Sequence, residues 1–174
     1  MLKLSNALSN IDVLSLRTGG PVGTATEMII NPNNLKIEGW YVQDKFSGKR
    51  LVLVGSEIRE VSPRGLIIND HEVLAEAGEL VRLKPVLDIG FVLIDKQVTS
   101  QSGMKYGKVT DFAVETESLL VKKIYASQSI IKSLSGGSTS IDRTQIVEIT
   151  DRKIIIEDAT EKSEATAAST VTAS

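Results

Sequence analysis

The chain has 174 residues, 41% of them hydrophobic and 24% charged, which suits one domain of ordinary size or two small ones. Lys and Arg total 20 against 22 for Asp and Glu, and this balance argues against a strongly basic nucleic-acid-binding protein and against a polyacidic one. Cysteine is absent and His71 is the single histidine, so disulfides, cysteine nucleophiles and a zinc site of the usual Cys/His type within one chain are excluded.

The first residues carry no apolar run of the length that a signal peptide needs, and no cleavage pattern of small residues. The longest apolar stretches in the chain are the length of a strand, far below the roughly 18 residues of a membrane span. They cover residues 51–54, 91–94 and 154–156. We therefore expect a soluble, cytoplasmic protein without a transmembrane segment.

The first half of the chain has the pattern of short strands separated by tight turns. Residues 31–34, Asn-Pro-Asn-Asn, are a strong turn signal because Asn tolerates the left-handed conformation and Pro fixes φ. In the next segment Leu35, Ile37 and Tyr41 alternate with polar residues, which is the period of a half-buried strand. The strands predicted for this half cover residues 13–16, 23–30, 35–42, 50–54, 57–61 and 66–68.

The second half of the chain repeats the first. Residues 19–42 align without gaps on 103–126 at an offset of 84, and residues 58–70 align on 146–158 at an offset of 88. The second copy therefore has four extra residues, which we place in the serine- and glycine-rich segment 133–140. Identical pairs include Gly19 with Gly103, Gly23 with Gly107 and Tyr41 with Tyr125. The strands predicted for this copy cover residues 98–100, 108–115, 119–126, 129–132, 145–150 and 153–157.

Six short strands joined by tight turns avoid open edges most simply by closing into a small barrel. The sequence therefore predicts an all-β protein with two small antiparallel β-barrels in tandem. Between the copies, residues 70–77 favour a short helix because they begin with acidic residues and precede a glycine, and residues 80–87 read as linker. The last residues contain one Val and no aromatic residue, which predicts disorder. The predicted units are repeat 1 over 1–77, a junction over 78–92, repeat 2 over 93–158 and a disordered tail over 159–174.

One segment of the second copy carries a family resemblance. An apolar pair and a strand valine precede Gly103, Gly107 and Asp111, and an apolar strand ending in Glu115 follows. This pattern resembles the PRC-barrel family, which includes the cytoplasmic domain of the photosynthetic reaction-centre H subunit and the C-terminal domain of the bacterial ribosome maturation factor. The first copy matches at Gly19 and Gly23, but it has Glu27 where the family has Asp.

The resemblance covers about residues 8–158. It implies small antiparallel barrels, an adaptor or assembly role and no shared catalytic residues. Association with a membrane complex is implied only by analogy with the photosynthetic member, whose membrane helix this chain lacks. The ribosomal member suggests a role in ribosome maturation, although its separate N-terminal barrel is of another type that the first copy does not resemble.

The glycine pairs of the two copies, Gly19 with Gly23 and Gly103 with Gly107, invite comparison with a phosphate-binding loop. Neither pair has the Gly-Lys-Ser/Thr ending of a P-loop or opens a helix in a dinucleotide fingerprint. A turn at a hairpin corner requires glycine without any ligand, and we favour that interpretation.

The remaining candidates for chemistry are acidic. His71 between two acids is compatible with a weak metal or acid–base site, but a solvated helix start is favoured. Asp111 and Glu115, with Glu27 in the first copy, are compatible with an acid pair. The resemblance to the PRC-barrel family instead implies a structural role for this acidic residue, accepting backbone hydrogen bonds from the neighbouring turn, and we favour that interpretation. We predict no catalytic, cofactor-binding or metal-binding residue, and no enzyme activity.

The predicted interaction residues are Trp40, Phe46 and Arg50, which lie close together along a strand and turn. Aromatic residues and Arg are enriched at interaction hot spots. Strict alternation places Tyr41 in phase with the inward-facing Ile37, so Trp40 is predicted to face the solvent, with burial in the core as the alternative.

A basic patch for RNA is a further candidate, but basic and acidic residues are nearly balanced in both halves, so a solvated face is favoured. The residues of that patch are Lys105, Lys108, Lys122 and Lys123. We therefore predict a non-catalytic cytoplasmic module that binds a protein partner or another copy of itself, without a cofactor. Two alternatives remain open at this point: a ribosome- or RNA-linked maturation or processing factor, and a barrel that binds a small ligand.

Overall fold

A computed structural model describes residues 1–129 and 137–158, and these residues form a mostly β protein. The strands of the first half are β1 (Leu2–Leu4), β2 (Ile11–Ser15), β3 (Pro21–Asn31), β4 (Lys36–Asp44), β5 (Arg50–Val54), β6 (Ile58–Ser62) and β7 (Gly65–Ile68). Those of the second half are β8 (Gln97–Ser100), β9 (Lys105–Glu115), β10 (Leu120–Ser127), β11 (Ser138–Asp142), β12 (Ile146–Ile149) and β13 (Lys153–Ile156). One α-helix, α1 (Lys84–Ile89), is present in this part of the chain, together with 3-10 turns at Ser5–Leu8, Gly55–Glu57, His71–Val73, Ala77–Glu79 and Arg143–Gln145. The all-β prediction is confirmed.

The two halves have the same order and pairing of strands. In the first half β2, β3, β4 and β5 pair antiparallel in sequence, and β7 pairs antiparallel with β6 and parallel with β2. In the second half β8, β9, β10 and β11 pair in the same way, and β13 pairs antiparallel with β12 and parallel with β8. The internal repeat of the sequence is therefore also a repeat of the fold.

The halves are joined by two reciprocal backbone hydrogen bonds. The amide of Ile37 donates to the carbonyl of Leu119 at 2.7 Å, and the amide of Val121 donates to the carbonyl of Leu35 at 2.9 Å. Leu35 and Leu119 are equivalent in the repeat, and both adopt a left-handed conformation, with φ of 54° and 57°. If each residue is replaced by its equivalent in the other copy, one hydrogen bond becomes the other. The halves are therefore related by an approximate two-fold axis at this contact.

The strands of the described residues belong to one 13-stranded sheet, which does not close. Its main path runs from β12 to β6 and crosses between the halves where β10 pairs with β4. The prediction of two closed barrels in tandem is therefore not confirmed. After β5 and after β11 the chain bends through 3-10 turns. The next strand in each half therefore pairs with the last one, β6 with β7 and β12 with β13, and does not continue the sheet beside β5 or β11.

The halves differ in the segments that lead into them. At the start of the chain, β1 crosses to the second half and pairs antiparallel with β9, with Leu2 opposite Glu115 and Leu4 opposite Ala113. The segment that leads into the second half forms α1, with Pro85 in its first turn and Gly90 ending it in the left-handed conformation. A proline cannot donate to a strand ladder, which favours the helix over an added strand.

Two expectations for the junction are wrong. The segment 70–77 is not an α-helix: it contains the 3-10 turn His71–Val73, and the α-helix lies at Lys84–Ile89, inside the junction expected over 78–92. The reason is tertiary, because Ala75 exchanges two backbone hydrogen bonds with Val52 of β5 and is thereby held extended.

In the second half, β11 lies where the sequence predicts a loop, and it pairs with β10 as β5 pairs with β4. Most of the strand predicted at 129–132 lies outside the described residues, as does the whole of the tail predicted to be disordered, 159–174. Within the described ranges, no helix has both the length and the apolar character that crossing a bilayer requires.

One hydrophobic core extends through both halves and includes Trp40, Ile37 and Leu66 from the first and Ile124 and Ile154 from the second. A smaller cluster packs α1 against the outer side of the first half, through residues such as Leu83, Ile29 and Val52.

Candidate interaction site at the junction of the two halves

The prediction that Trp40 faces the solvent is wrong. Its side chain is fully buried, and its indole Nε1 donates to the carbonyl of Leu8 at 2.9 Å. The cause is a β-bulge: Ile30 pairs with Ile37 but Ile29 pairs with Gly39, so Glu38 is an extra residue in β4. An extra residue reverses the alternation that follows it, which places Trp40 inside and Tyr41 at the surface.

The other two predicted interaction residues lie in separate contacts. The guanidinium of Arg50 lies 3.6 Å from the centre of the Tyr41 ring and pairs with Glu27 at 3.1 Å. Phe46 is 68% exposed in the β4–β5 turn and contacts the ring of His71 edge-on at 5.0 Å. The structure therefore does not bring Trp40, Phe46 and Arg50 together on one surface.

His71 takes part in a buried polar cluster with Asp44. The carboxylate of Asp44 is 3% exposed, lies 2.7 Å from His71 Nε2 and accepts the amide of Ser47 at 2.9 Å. Burial raises the pKa of Asp44, but hydrogen bonds from Ser47 and His71 outweigh it and lower that pKa from 3.8 to about 2. The Ser47 hydroxyl donates to Asp44 Oδ2, and His71 Nε2 contacts Asp44 Oδ1. The carboxylate therefore separates the histidine from the hydroxyl, and the serine–histidine contact of nucleophilic catalysis is not formed here.

The four motif glycines have two structural roles. Gly19 and Gly103 lie in turns with φ of 72° and 90°, and each donates its amide to a serine carbonyl at the end of the preceding strand. Gly23 and Gly107 lie within β3 and β9, where a Cβ atom would come within 2.7 Å of Val42 Cγ1 and 2.1 Å of a backbone oxygen, respectively. The latter pair permits close approach of neighbouring strands, and a phosphate is not needed to explain either pair.

Asp111 connects the start of the chain to β9. Its Oδ1 accepts the amides of Ser5 at 3.1 Å and Phe112 at 2.8 Å, together with the hydroxyl of Ser5. The equivalent residue of the first half, Glu27, instead faces outward and pairs with Arg50. The segment before β2 is thus fixed to the second half by the carboxylate of Asp111. Glu27 does not make the equivalent contact in the first half.

A cavity of about 240 Å³, which we call the junction slot, lies where the first half meets the lead-in segment of the second. It is lined by residues 26–30, 86–87 and 90–94, with Ser5, Ser9, Tyr41 and Phe112. Five consecutive residues of β3 line the cavity although side chains of a strand alternate between faces, which indicates a cavity that runs along the edge of that strand. The junction slot therefore lies along the edge of β3.

This part of the β3 edge is not covered by a strand. Among the described residues, β3 pairs with β2 only as far as Ala25, and over residues 27–31 it pairs with β4 alone. In the second half β1 covers the equivalent edge of β9, at residues 113–115. The two halves therefore differ at this edge. In the second half the edge of β9 pairs with β1, and in the first half the equivalent edge of β3 borders the slot.

The rim of the junction slot is apolar and exposed. Val92, which lines the slot, is 64% exposed. Glu27 is the one charged residue among the lining residues that the structure describes. The slot therefore favours an apolar occupant with its own backbone hydrogen-bonding groups.

Sequence reasoning missed the junction slot because it assigned residues 78–92 to a junction without structure. A sequence signal was present, since Leu8 and Asn10 match Leu93 and Asp95 at an offset of 85. The structure confirms the equivalence: both leucines are 1% exposed, and both Asn10 and Asp95 have positive φ. Extending the repeat upstream of residue 13 would have shown that both lead-in segments belong to the repeating unit.

The described residues contain no group of three or more His, Asp or Glu side chains close enough to hold a metal ion. Comparison with known proteins adds no family: no protein-family model matches the chain, and no curated protein matches its sequence.

Proposed function

We propose that this protein is a non-catalytic binding module and that its junction slot accepts an extended apolar segment of a protein partner, which adds a strand to the edge of β3. The observation that carries the proposal is the difference between the halves. The edge of β9 is covered by β1, whereas the equivalent edge of β3 borders the slot.

The mode of recognition is strand addition. Main-chain hydrogen bonds to an exposed sheet edge provide affinity, and pockets for alternate side chains provide specificity. The chain contains its own example in β1, whose sequence Leu-Lys-Leu runs antiparallel to β9. By the repeat offset of 84, the positions facing Leu2 and Leu4 correspond to Asn31 and Ile29 of β3. We therefore expect the partner segment to run antiparallel to β3 with apolar residues at alternate positions.

The resemblance to the PRC-barrel family supports an adaptor or assembly role, and we propose that each half is a unit of this type. Their order of strands, their paired glycines and their small size are the features that support the assignment. A cytoplasmic location remains part of the proposal.

Binding of RNA is less well supported, because the described lining of the junction slot contains no basic side chain to neutralise phosphates. A small apolar ligand is the alternative that the cavity itself suggests. Its volume of about 240 Å³ is below the 300–1,000 Å³ of ordinary ligand pockets, which favours a peptide side chain and backbone over a larger molecule.

The proposal can be tested with a peptide of the first nine residues of this chain, because that segment already pairs with the equivalent edge of β9. Titrated into the full chain and followed by amide NMR, it should shift resonances of residues 26–31 and 90–94 in a saturable way. Val92→Asp places a charge on the rim and should weaken binding at least tenfold. Val81→Asp is the matched control, since Val81 is 79% exposed and does not line the slot.

Two outcomes would contradict the proposal: no saturable shift along β3, or equal binding by Val92→Asp and Val81→Asp. A peptide with proline in place of Lys3 should bind more weakly, because proline removes a ladder hydrogen bond. If a small apolar compound saturates the slot and the peptide does not, the small-ligand alternative replaces the proposal.

A further inference from the structure

A second, polar cavity of about 330 Å³ lies at another contact between the halves. Its walls are the turn 32–35, which joins β3 to β4, and residues 146–149 of β12, with Arg143 between them. It shares no residue with the junction slot, so what occupies it is independent of the function proposed above.

Arg143 is the unusual residue of this cavity. Its Nη1 atom is buried and has no hydrogen-bond partner among the residues that the structure describes. A buried donor without an acceptor is costly, and for a charged group the cost is higher. The planar guanidinium presents its donors as a fork that matches the two oxygens of a carboxylate. A ligand that supplies such oxygens would satisfy the buried donor.

The internal repeat shows that the shared fold does not require this arginine. The 3-10 turn that begins with Arg143 corresponds to the turn that begins with Gly55. A Cβ atom on Gly55 would lie 3.0 Å from Leu119 Cδ1 and 3.2 Å from the carbonyl of Glu38. The first half thus closes this position with tight packing, whereas the second half places a long cationic side chain beside a cavity.

We propose that this cavity binds the carboxylate of a small organic acid, with Arg143 as its cationic anchor. Arg143 is the single basic residue of the lining described, and Glu148 of β12 also lines the cavity. One guanidinium neutralises the single charge of a carboxylate, whereas the larger charge of a phosphate would be only partly neutralised and would be repelled more strongly by Glu148. Asn33 and Asn34, which also line the cavity, add neutral side-chain amides.

The test is an NMR titration of the full chain with acetate, succinate and benzoate at constant ionic strength and neutral pH, with inorganic phosphate as the comparison anion. The expected result is a saturable shift of the Arg143 Nε–H resonance and of amides in 32–35 and 146–149. Arg143→Gln should weaken binding of the best acid at least tenfold. Arg152→Gln is the matched control, because Arg152 is exposed, lies in the same half and does not line the cavity.

The Glu148→Gln variant distinguishes a direct effect on ligand binding from an effect of unfolding. Removing this like charge should tighten carboxylate binding several-fold, which a destabilised protein would not do. The proposal is overturned if none of the three acids gives a saturable shift, if Arg143→Gln binds as well as the wild type, or if phosphate binds more tightly than every acid. If an acidic side chain of a protein partner is the natural source of the carboxylate, an Asp-containing peptide will bind more tightly than acetate at the same cavity, and the assignment to a free organic acid is then wrong.

Discussion

A buried carboxylate holds the turn between β4 and β5. Asp44 accepts hydrogen bonds from Ser47 and contacts His71, which fixes the turn to the 3-10 turn His71–Val73. The pKa of Asp44 lies at about 2 in the folded protein, below its ordinary value of 3.8. The folded state therefore binds the proton of this carboxyl less tightly than the unfolded chain does.

This lowered pKa predicts a loss of stability in acid. The contribution of Asp44 is fully present above its unfolded pKa near 4 and is lost as the pH falls toward 2, by about 2 kcal/mol in all. Urea unfolding at several pH values between 6 and 2 should show this loss in the wild type and a flatter profile in Asp44→Asn. Asp88→Asn is the control, since Asp88 belongs to an exposed ion pair. Parallel profiles for the wild type and Asp44→Asn would contradict the prediction.

Burial of Trp40 gives a second prediction at the scale of a residue. Trp40→Phe leaves the carbonyl of Leu8 without its donor and removes part of a fully buried side chain, so we expect destabilisation by about 2–4 kcal/mol. Phe46→Leu changes an exposed aromatic residue and should alter the free energy of unfolding by less than about 0.5 kcal/mol. Denaturant unfolding measures both. Equal effects would mean that Trp40 is not a core residue.

At the scale of secondary-structure elements, the glycines that stability depends on most are those where neighbouring strands come into close contact. In β9, Gly107 has φ of 92°, and a Cβ atom would lie 2.1 Å from the carbonyl oxygen of Ser127 in β10. In the turn before β9, Gly103 has a similar φ but no atom within 4 Å of its Cβ position. The two positions therefore separate the effect of backbone conformation from the effect of strand contact.

A graded series of alanine substitutions tests this separation. Gly107→Ala should destabilise by about 3 kcal/mol or more, because a strand must shift as well as adopt a strained φ. Gly103→Ala should destabilise by about 1–2 kcal/mol from φ alone. Gly20→Ala, with ordinary φ and open space, should be nearly neutral. Thermal unfolding by circular dichroism gives the order, and an equal loss at Gly103 and Gly107 would show that the contact with β10 carries no cost.

The whole molecule is interlocked across its repeat. β1 pairs with β9 of the other half, and one core contains residues of both halves. The carbonyls of Leu35 and Leu119 accept the amides of Val121 and Ile37, respectively, across the junction. Two repeats built this way stabilise each other through the shared core and through β1. They are therefore expected to unfold together.

Cooperativity can be tested with the chain's one tryptophan, Trp40, which reports on the first half. Ile154→Ala in β13 removes buried atoms from the second half and should cost about 2–4 kcal/mol. If the halves unfold together, the midpoint of Trp40 fluorescence and the midpoint of circular dichroism will fall by the same amount. A fluorescence midpoint that stays at its wild-type value would show that the first half is stable on its own.

Several features of this protein follow from the sequence by itself. The strand pattern, the repeat at an offset of 84 and the turns at Gly19 and Gly103 are local signals, because alternation, turn chemistry and glycine spacing act over a few residues. They suffice for the all-β class and for the equivalence of the two halves. They also place β3, β4 and β9 within a few residues of their observed bounds.

Other features were decided only by the tertiary structure. The burial of Trp40 depends on a bulge at Glu38, which exists only because β3 and β4 pair in a particular register. The pairing of β1 with the far half, the extended conformation of Ala75 against β5 and the junction slot along β3 likewise depend on which distant segments meet. Alternation along one strand carries no information about its neighbour, so contacts between segments far apart in sequence set these features.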